Sequence, residues 1–177
     1  MNANNNTGQE NTENSFQLLK AAQRDIITVS SLLNNDSFPL NEKVETICRS
    51  AAESAEKMLK AFILHTDKNI KVFGNHDLNS LNSIAMKLNT NFKAIDDNLD
   101  FLNNYSTELR YNSKFTIEPH EVKQCLKALK SIYDFPLIKD TRDFINNENK
   151  FNVLPENIGA LFGKYYSDNE AHMLKEQ

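Results

Sequence analysis

The strongest constraint on the fold is an apolar stripe between residues 44 and 63. Apolar side chains recur there every three or four positions, which is the repeat of one face of a helix. The members of the stripe are Val44, Ile47, Cys48, Ala51, Ala55, Met58, Leu59, Phe62 and Ile63. Its alanines leave room for a neighbouring helix to approach closely. The stripe therefore predicts a long helix, over about residues 41–66, that packs against other helices.

Four further segments carry the same repeat and predict four more helices. The whole chain of 177 residues has only four Gly and four Pro, whereas a β-rich protein needs more of both at its turns. Short polar links join the segments, so an up-and-down antiparallel bundle of four to five helices is the expected all-α fold. The additional helices are expected at residues 15–34, from about 76, at 91–109 and at 118–135.

The two ends of the chain differ from this central bundle, which we place at residues 15–135. Residues 1–14 are almost entirely polar and cannot offset the entropy of ordering, so we predict a disordered N-terminal tail. Pro136 is expected to end the bundle proper. Residues 136–177 are predicted to be a C-terminal appendage, with a short helix at about 155–166, that packs on the bundle or at a dimer interface.

Composition excludes several classes of protein. A net charge of −4 argues against a broad, non-specific nucleic-acid surface. The longest apolar run, residues 61–64, is far too short to span a bilayer, and no signal peptide is visible, so no membrane association and a cytoplasmic location are expected. Cys48 and Cys125 are expected to be reduced core thiols. No familiar catalytic motif is present and the four histidines show no ligand spacing, so we expect no metal and no cofactor.

Three short motifs stand out from the helical pattern. Residues 51–61 read AAESAEKMLKA and contain two i, i+4 Glu–Lys pairs, which on their own predict a solvated, salt-bridged helix face. Residues 75–78 read NHDL, where Asn75 or Asp77 is suited to cap the following helix. Arg110 and Tyr111 stand at the end of the fourth predicted helix, where a cation complements the helix dipole.

Taken together, the order and spacing of these motifs resemble the HEPN domain family. The matching residues are 51–61, 76–81 and 109–111, and the resemblance covers about residues 15–135. It implies a bundle of four or five helices, often a homodimer, with a role tied to nucleotides or RNA. It also implies two kinds of relative: modules that accompany small nucleotidyltransferases, and metal-independent ribonucleases in which an Arg is closely followed by a His.

This sequence departs from the ribonuclease pattern. Nine residues separate Arg110 from the next histidine, His120, and Pro119 stands directly before that histidine. The Pro that often follows the Arg-Tyr pair in the family is replaced by Asn112. Metal-independent RNA cleavage needs an acid or base and a cation within a few ångströms of each other. The departure therefore favours a protein that is not an enzyme.

The leading hypothesis is a non-catalytic module that binds a nucleotide or RNA, with a nucleotidyltransferase as a candidate partner. Lysine charges and a bidentate Arg contact would hold phosphate, the Tyr would stack, and the Glu would orient the lysines or a ribose hydroxyl. Two alternatives stay open: a degenerate or dimer-assembled ribonuclease that uses Arg110 with His120 or His76, and a ligand-free dimeric interaction module. The candidate ligand-binding residues are Glu56, Lys57, Lys60, His76, Arg110 and Tyr111.

Overall fold

The computed structural model describes the backbone of residues 7–111, 116–152 and 154–165, and the side chains within these ranges except at 7–14, 108–111 and 164. Within these ranges the chain forms six α-helices and three short 3-10 helices, with no β-strand. The α-helices are α1 (Thr7–Leu33), α2 (Val44–Thr66), α3 (Leu78–Leu88), α4 (Asp96–Tyr111), α5 (Glu121–Asp134) and α6 (Pro136–Glu148). The 3-10 helices are Leu40–Glu42, Thr90–Ile95 and Ile158–Tyr165. The predicted all-α helical bundle is confirmed.

Helix α2 lies at the centre of the bundle and packs against all five other α-helices. Fifteen of its 23 residues are buried, which is more than one helix face can supply, so α2 is enclosed on most sides. Small side chains at Ala51, Ala52 and Ala55 are fully buried and allow the close packing that the sequence predicts. The hydroxyl of Ser54 donates to the carbonyl of Ala22 on α1 at 3.0 Å, which joins the two longest helices directly.

The ends of the helices follow local chemistry. Asp77 caps α3, because its carboxylate accepts from the backbone N–H groups of Asn79 and Ser80. Helix α5 begins at Glu121 rather than near residue 118, and the Glu121 carboxylate accepts from the backbone N–H of Glu118 at 2.7 Å. Pro119 therefore lies in the turn before α5 and not in its first helical turn.

The N-terminal helix is longer than the sequence predicts. Helix α1 begins at Thr7, so residues 7–14 of the expected disordered tail continue the helix, whereas residues 1–6 lie outside the described part. Adding a residue to a helix that is already formed costs no new nucleation. The packed part of α1, with Leu19, Ile26 and Val29 buried, supplies that nucleus.

Pro136 begins a helix instead of ending the bundle. It occupies the first turn of α6, where the absent N–H has no partner to lose, and α6 packs against α1, α2 and α5. The segment predicted as a helix at 155–166 forms a 3-10 helix at 158–165, which Gly163 interrupts with a φ of 55°. This segment packs on α1 and α5, and the hydroxyl of Ser30 donates to the carbonyl of Leu161 at 3.0 Å. Residues 166–177 of the predicted appendage lie outside the described residues.

The structure bears on two expectations, that the cysteines lie in the core and that the chain has no membrane-spanning helix. Cys48 and Cys125 are buried and carry free thiols. In the part of the chain that is described, no helix is long and apolar enough to cross a bilayer.

Leu59 on α2 provides a test of the core. The side chain is fully buried, so Leu59→Ala is expected to lower the free energy of unfolding by ~2–5 kcal/mol. Ile27→Ala is the control, because Ile27 is 39% exposed on α1 and its truncation should cost well under ~1 kcal/mol. Urea unfolding followed by circular dichroism measures both. Equal losses would contradict the central position of α2.

Candidate functional site

A buried ion pair in the middle of α2 forms the base of the candidate site. Glu56 and Lys60 lie one helical turn apart, their Oε1 and Nζ atoms are 2.7 Å apart, and each side chain is only 5% exposed. The expectation of a solvated face is therefore wrong for this pair. The periodic pattern showed that these residues adjoin the apolar stripe, but not that the segment before α3 folds over them.

That segment places His76 on the same carboxylate oxygen. His76 Nδ1 lies 2.9 Å from Glu56 Oε1, and a carboxylate oxygen only accepts, so Nδ1 donates. The imidazole ring is 45% exposed, so it covers the ion pair on one side and faces solvent on the other. Glu56, Lys60 and His76, here called the Glu56 cluster, thus join a buried helix to the protein surface.

Helix α4 holds the backbone at His76 and directly after it. The hydroxyl of Ser106 donates to the carbonyl of His76 at 2.9 Å. The amide oxygen of Asn103 accepts from the backbone N–H of Leu78 at 2.8 Å, at the first turn of α3. With Asp77 capping the same turn, His76 is held by contacts from α2, α3 and α4. The position of its ring is therefore set by the fold.

Lys57 has different partners from the Glu56 cluster. Its Nζ lies 2.5 Å from Asp25 Oδ2 on α1 and 3.7 Å from Glu53 Oε2. Burial raises the pKa of Asp25, and the hydrogen bond and charge of Lys57 act in the opposite direction. The charge of Lys57 is thus held mainly toward α1.

The positions of Arg110 and Tyr111 follow from the helix that carries them. Both belong to the last turn of α4, and their side chains lie outside the described ones. Position 110 comes four residues after Ser106, so it stands on the same face of α4, one turn beyond the residue that binds the His76 carbonyl. The backbone therefore places the third sequence motif beside the second.

The other histidines in the described part have no comparable environment. His120 is exposed immediately before α5 and makes no capping hydrogen bond. His65 packs its ring against Phe144, with centroids 5.0 Å apart. No group of three or more His, Cys, Asp or Glu residues that could hold a metal ion occurs in the described ranges. Among these histidines, His76 is the one paired with a buried carboxylate.

Three residues of the site were not predicted from the sequence. Ser106 and Asn103 hold the His76 segment, and Asp25 holds Lys57. The four-residue spacing from Ser106 to Arg110 was a usable signal, because it places both on one helix face. Asn103 and Asp25 act across elements distant in sequence, and helical periodicity carries no information about such contacts.

Removing one partner of the buried pair tests its burial. Lys60→Met is expected to destabilise the protein by ~3 kcal/mol, because the Glu56 carboxylate then stays buried without the Lys60 ammonium group. Adding Glu56→Gln should recover part of the loss, since the uncompensated charge is gone. Chemical denaturation of Lys60→Met, of Glu56→Gln and of the double variant measures the coupling energy between the two side chains. A cost well under ~1 kcal/mol for Lys60→Met would show that the pair is solvated.

A family of known proteins matches the part of the chain that carries this site. The model of the HEPN domain matches residues 16–140, which span the buried part of α1, all of α2 to α5 and the Glu56 cluster. No curated protein and no solved structure matches the chain significantly. Because the match covers well over half of the sequence and includes all three motifs, the chain belongs to the HEPN domain family.

Proposed function

We propose that this HEPN protein is a non-catalytic module that binds a nucleotide or RNA at the surface around His76. Membership of the family indicates a nucleotide- or RNA-related function. The observation that carries the proposal is the shared Glu56 Oε1 atom, which lies 2.7 Å from Lys60 Nζ and 2.9 Å from His76 Nδ1. This atom connects a buried ion pair to a half-exposed ring.

The energetics of the pair support a role beyond stability. Burying two opposite charges costs desolvation energy that their attraction only partly returns, so apolar side chains would serve a core at least as well. Here the ion pair supports an imidazole that reaches the surface. A ring held in this way offers a flat face for stacking on a base and a second nitrogen for a hydrogen bond.

The distribution of charge assigns different roles to the candidate residues. Lys60 lies against Glu56, so its charge neutralises the Glu56 carboxylate and adds little positive charge toward a ligand. Lys57 is similarly committed to Asp25, which leaves Arg110 as the main phosphate contact in the proposal. The guanidinium fork binds phosphate in a bidentate way that an ammonium does not reproduce. Tyr111, the next residue, would stack on a base or ribose, as its amphipathic ring allows.

Family resemblance supports two further parts of the proposal. HEPN modules are often homodimers and some accompany a small nucleotidyltransferase, so we propose both arrangements for this chain. In the ligand-free alternative, the cluster is only a structural support. Ligand binding separates that alternative from the proposal.

One observation favours a second candidate, a degenerate ribonuclease. A carboxylate that holds Nδ1 of a histidine leaves Nε2 as the acceptor of the neutral ring, which is the arrangement of a general base. Arg110 would then stabilise the charge that develops on phosphate. His120 is less suited, because it is exposed and bonds to no carboxylate within the described residues.

Titration with nucleotides and short single-stranded RNA tests the binding proposal. We expect a salt-sensitive affinity that falls in His76→Ala and in Arg110→Lys, because the first variant removes the supported ring and the second removes the fork. Calorimetry at low and raised salt measures the affinity, and thermal unfolding confirms that Arg110→Lys remains as stable as the wild type. The matched control is His120→Ala, which should bind as the wild type does. Absence of heat from every nucleotide and RNA oligomer would leave the interaction module.

Incubation of the purified protein with single-stranded RNA and a chelator tests catalysis. We expect no cleavage, because the close Arg–His spacing of the ribonucleases is absent. Gel analysis of end-labelled RNA provides the measurement. Chelator-resistant cleavage that disappears in His76→Ala would establish the second candidate, whereas cleavage that disappears only in His120→Ala would place the acid or base at the start of α5.

A further inference from the structure

A separate cavity lies between the end of α5 and the second half of α6. Its volume is about 360 Å³, within the usual range of sites for small molecules. The cavity is lined by the last turn of α5, one side of α6, Asn152 and residues 154–156, and none of its lining side chains belongs to the Glu56 cluster. Most of this lining follows residue 140, where the HEPN match ends.

Arg142 forms the buried, positive side of the cavity. The residue is 3% exposed, its guanidinium carbon lies 3.7 Å from the centroid of the Tyr133 ring, and Nη1 donates to the Tyr133 carbonyl at 2.8 Å. These contacts place a cation at the C-terminal end of α5, where it offsets the helix dipole. They use only one of the two terminal nitrogens of the guanidinium group.

The remaining donors of Arg142 are poorly satisfied. The hydrogen bond from Nη1 is the one found for this guanidinium among the described residues, and the nearest carboxylate oxygen, Asp143 Oδ1, is 3.5 Å from Nε. That distance is too long for a good hydrogen bond. A buried guanidinium with unused donors is suited to a planar oxyanion, above all a carboxylate.

The other polar groups of the cavity are hydrogen-bond acceptors, and two of them are negatively charged. Asp143 and Glu156 are exposed carboxylates on its rim. Asn146 is 8% exposed, and its Oδ1 has no hydrogen-bond partner within the described part of the chain. An acceptor that is buried without a donor costs free energy, which a ligand N–H group reaching it would recover. These three side chains therefore favour a positively charged donor.

We propose that this cavity binds a free α-amino acid. The ligand carboxylate lies on the Arg142 fork, and its ammonium group lies toward Asn146 Oδ1, Asp143 and Glu156. A simple anion would meet the two rim carboxylates, and a simple cation would meet Arg142. A small zwitterion satisfies both sides and is of a size that the cavity admits. This site is independent of the nucleotide or RNA site proposed above.

Titration of the full-length protein with the individual L-amino acids, followed by NMR, tests the proposal. At least one amino acid should bind and shift backbone resonances of α6. Its N-acetyl derivative and its carboxamide should each bind much more weakly, because each lacks one of the two charges. Equal binding of the N-acetyl derivative would overturn the zwitterion assignment in favour of a carboxylate site. Absence of binding at ~10 mM by every amino acid would overturn the proposal altogether.

A matched pair of double variants tests the placement of the ammonium group. Asp143→Asn combined with Glu156→Gln should weaken amino-acid binding roughly tenfold, because two rim charges are lost. Asp140→Asn combined with Glu148→Gln removes the same charge from exposed positions that do not line the cavity, and should bind as the wild type does. Equal weakening by both double variants would overturn the assignment. Arg142 is left intact because it also stabilises the end of α5.

Discussion

The enclosure of α2 by five other helices is the constraint on which the rest of the structure depends. A helix that is enclosed on most sides needs small side chains where neighbours approach and a partner for each buried polar group. The buried alanines at positions 51, 52 and 55 meet the first need, and Ser54 meets the second by bonding to Ala22 on α1. The Glu56–Lys60 pair is the costliest polar element that this arrangement encloses.

His76 links that enclosed pair to the protein surface. Its ring is held by Glu56 on α2, and its backbone carbonyl is held by Ser106 on α4. Because the contacts come from separate elements, the orientation of the ring depends on the packing of the whole bundle rather than on one loop. A surface group supported in this way loses little further freedom on binding, which favours affinity. The geometry of the proposed binding surface therefore depends on the packing of the helix bundle that carries it.

Periodicity and local chemistry predicted much of this arrangement. The apolar stripe located α2, and the preference of Asn and Asp for helix starts limited the cap of α3 to Asn75 or Asp77, of which Asp77 is the cap in the structure. Both predictions depend on residues close in sequence. The prediction that Pro136 ends the bundle was wrong, because proline suits both the residue after a helix and the first turn of the next helix. The burial of Glu56 and Lys60 and the pairing of Lys57 with Asp25 depend on which elements meet in space. Sequence spacing does not encode such meetings.

The two polar sites differ in how much of their charge is already neutralised. In the Glu56 cluster Lys60 lies against a carboxylate, so any attraction for phosphate must come from groups outside the pair. In the α5–α6 cavity Arg142 keeps part of its fork unused, and Asn146 keeps an acceptor without a donor. Unsatisfied groups of both kinds attract a ligand that carries both charges, whereas a satisfied cluster mainly supplies position. Recognition at the two proposed sites would therefore depend on the local state of the polar groups rather than on the net charge of −4, since short-range pairing outweighs the overall field once salt screens it.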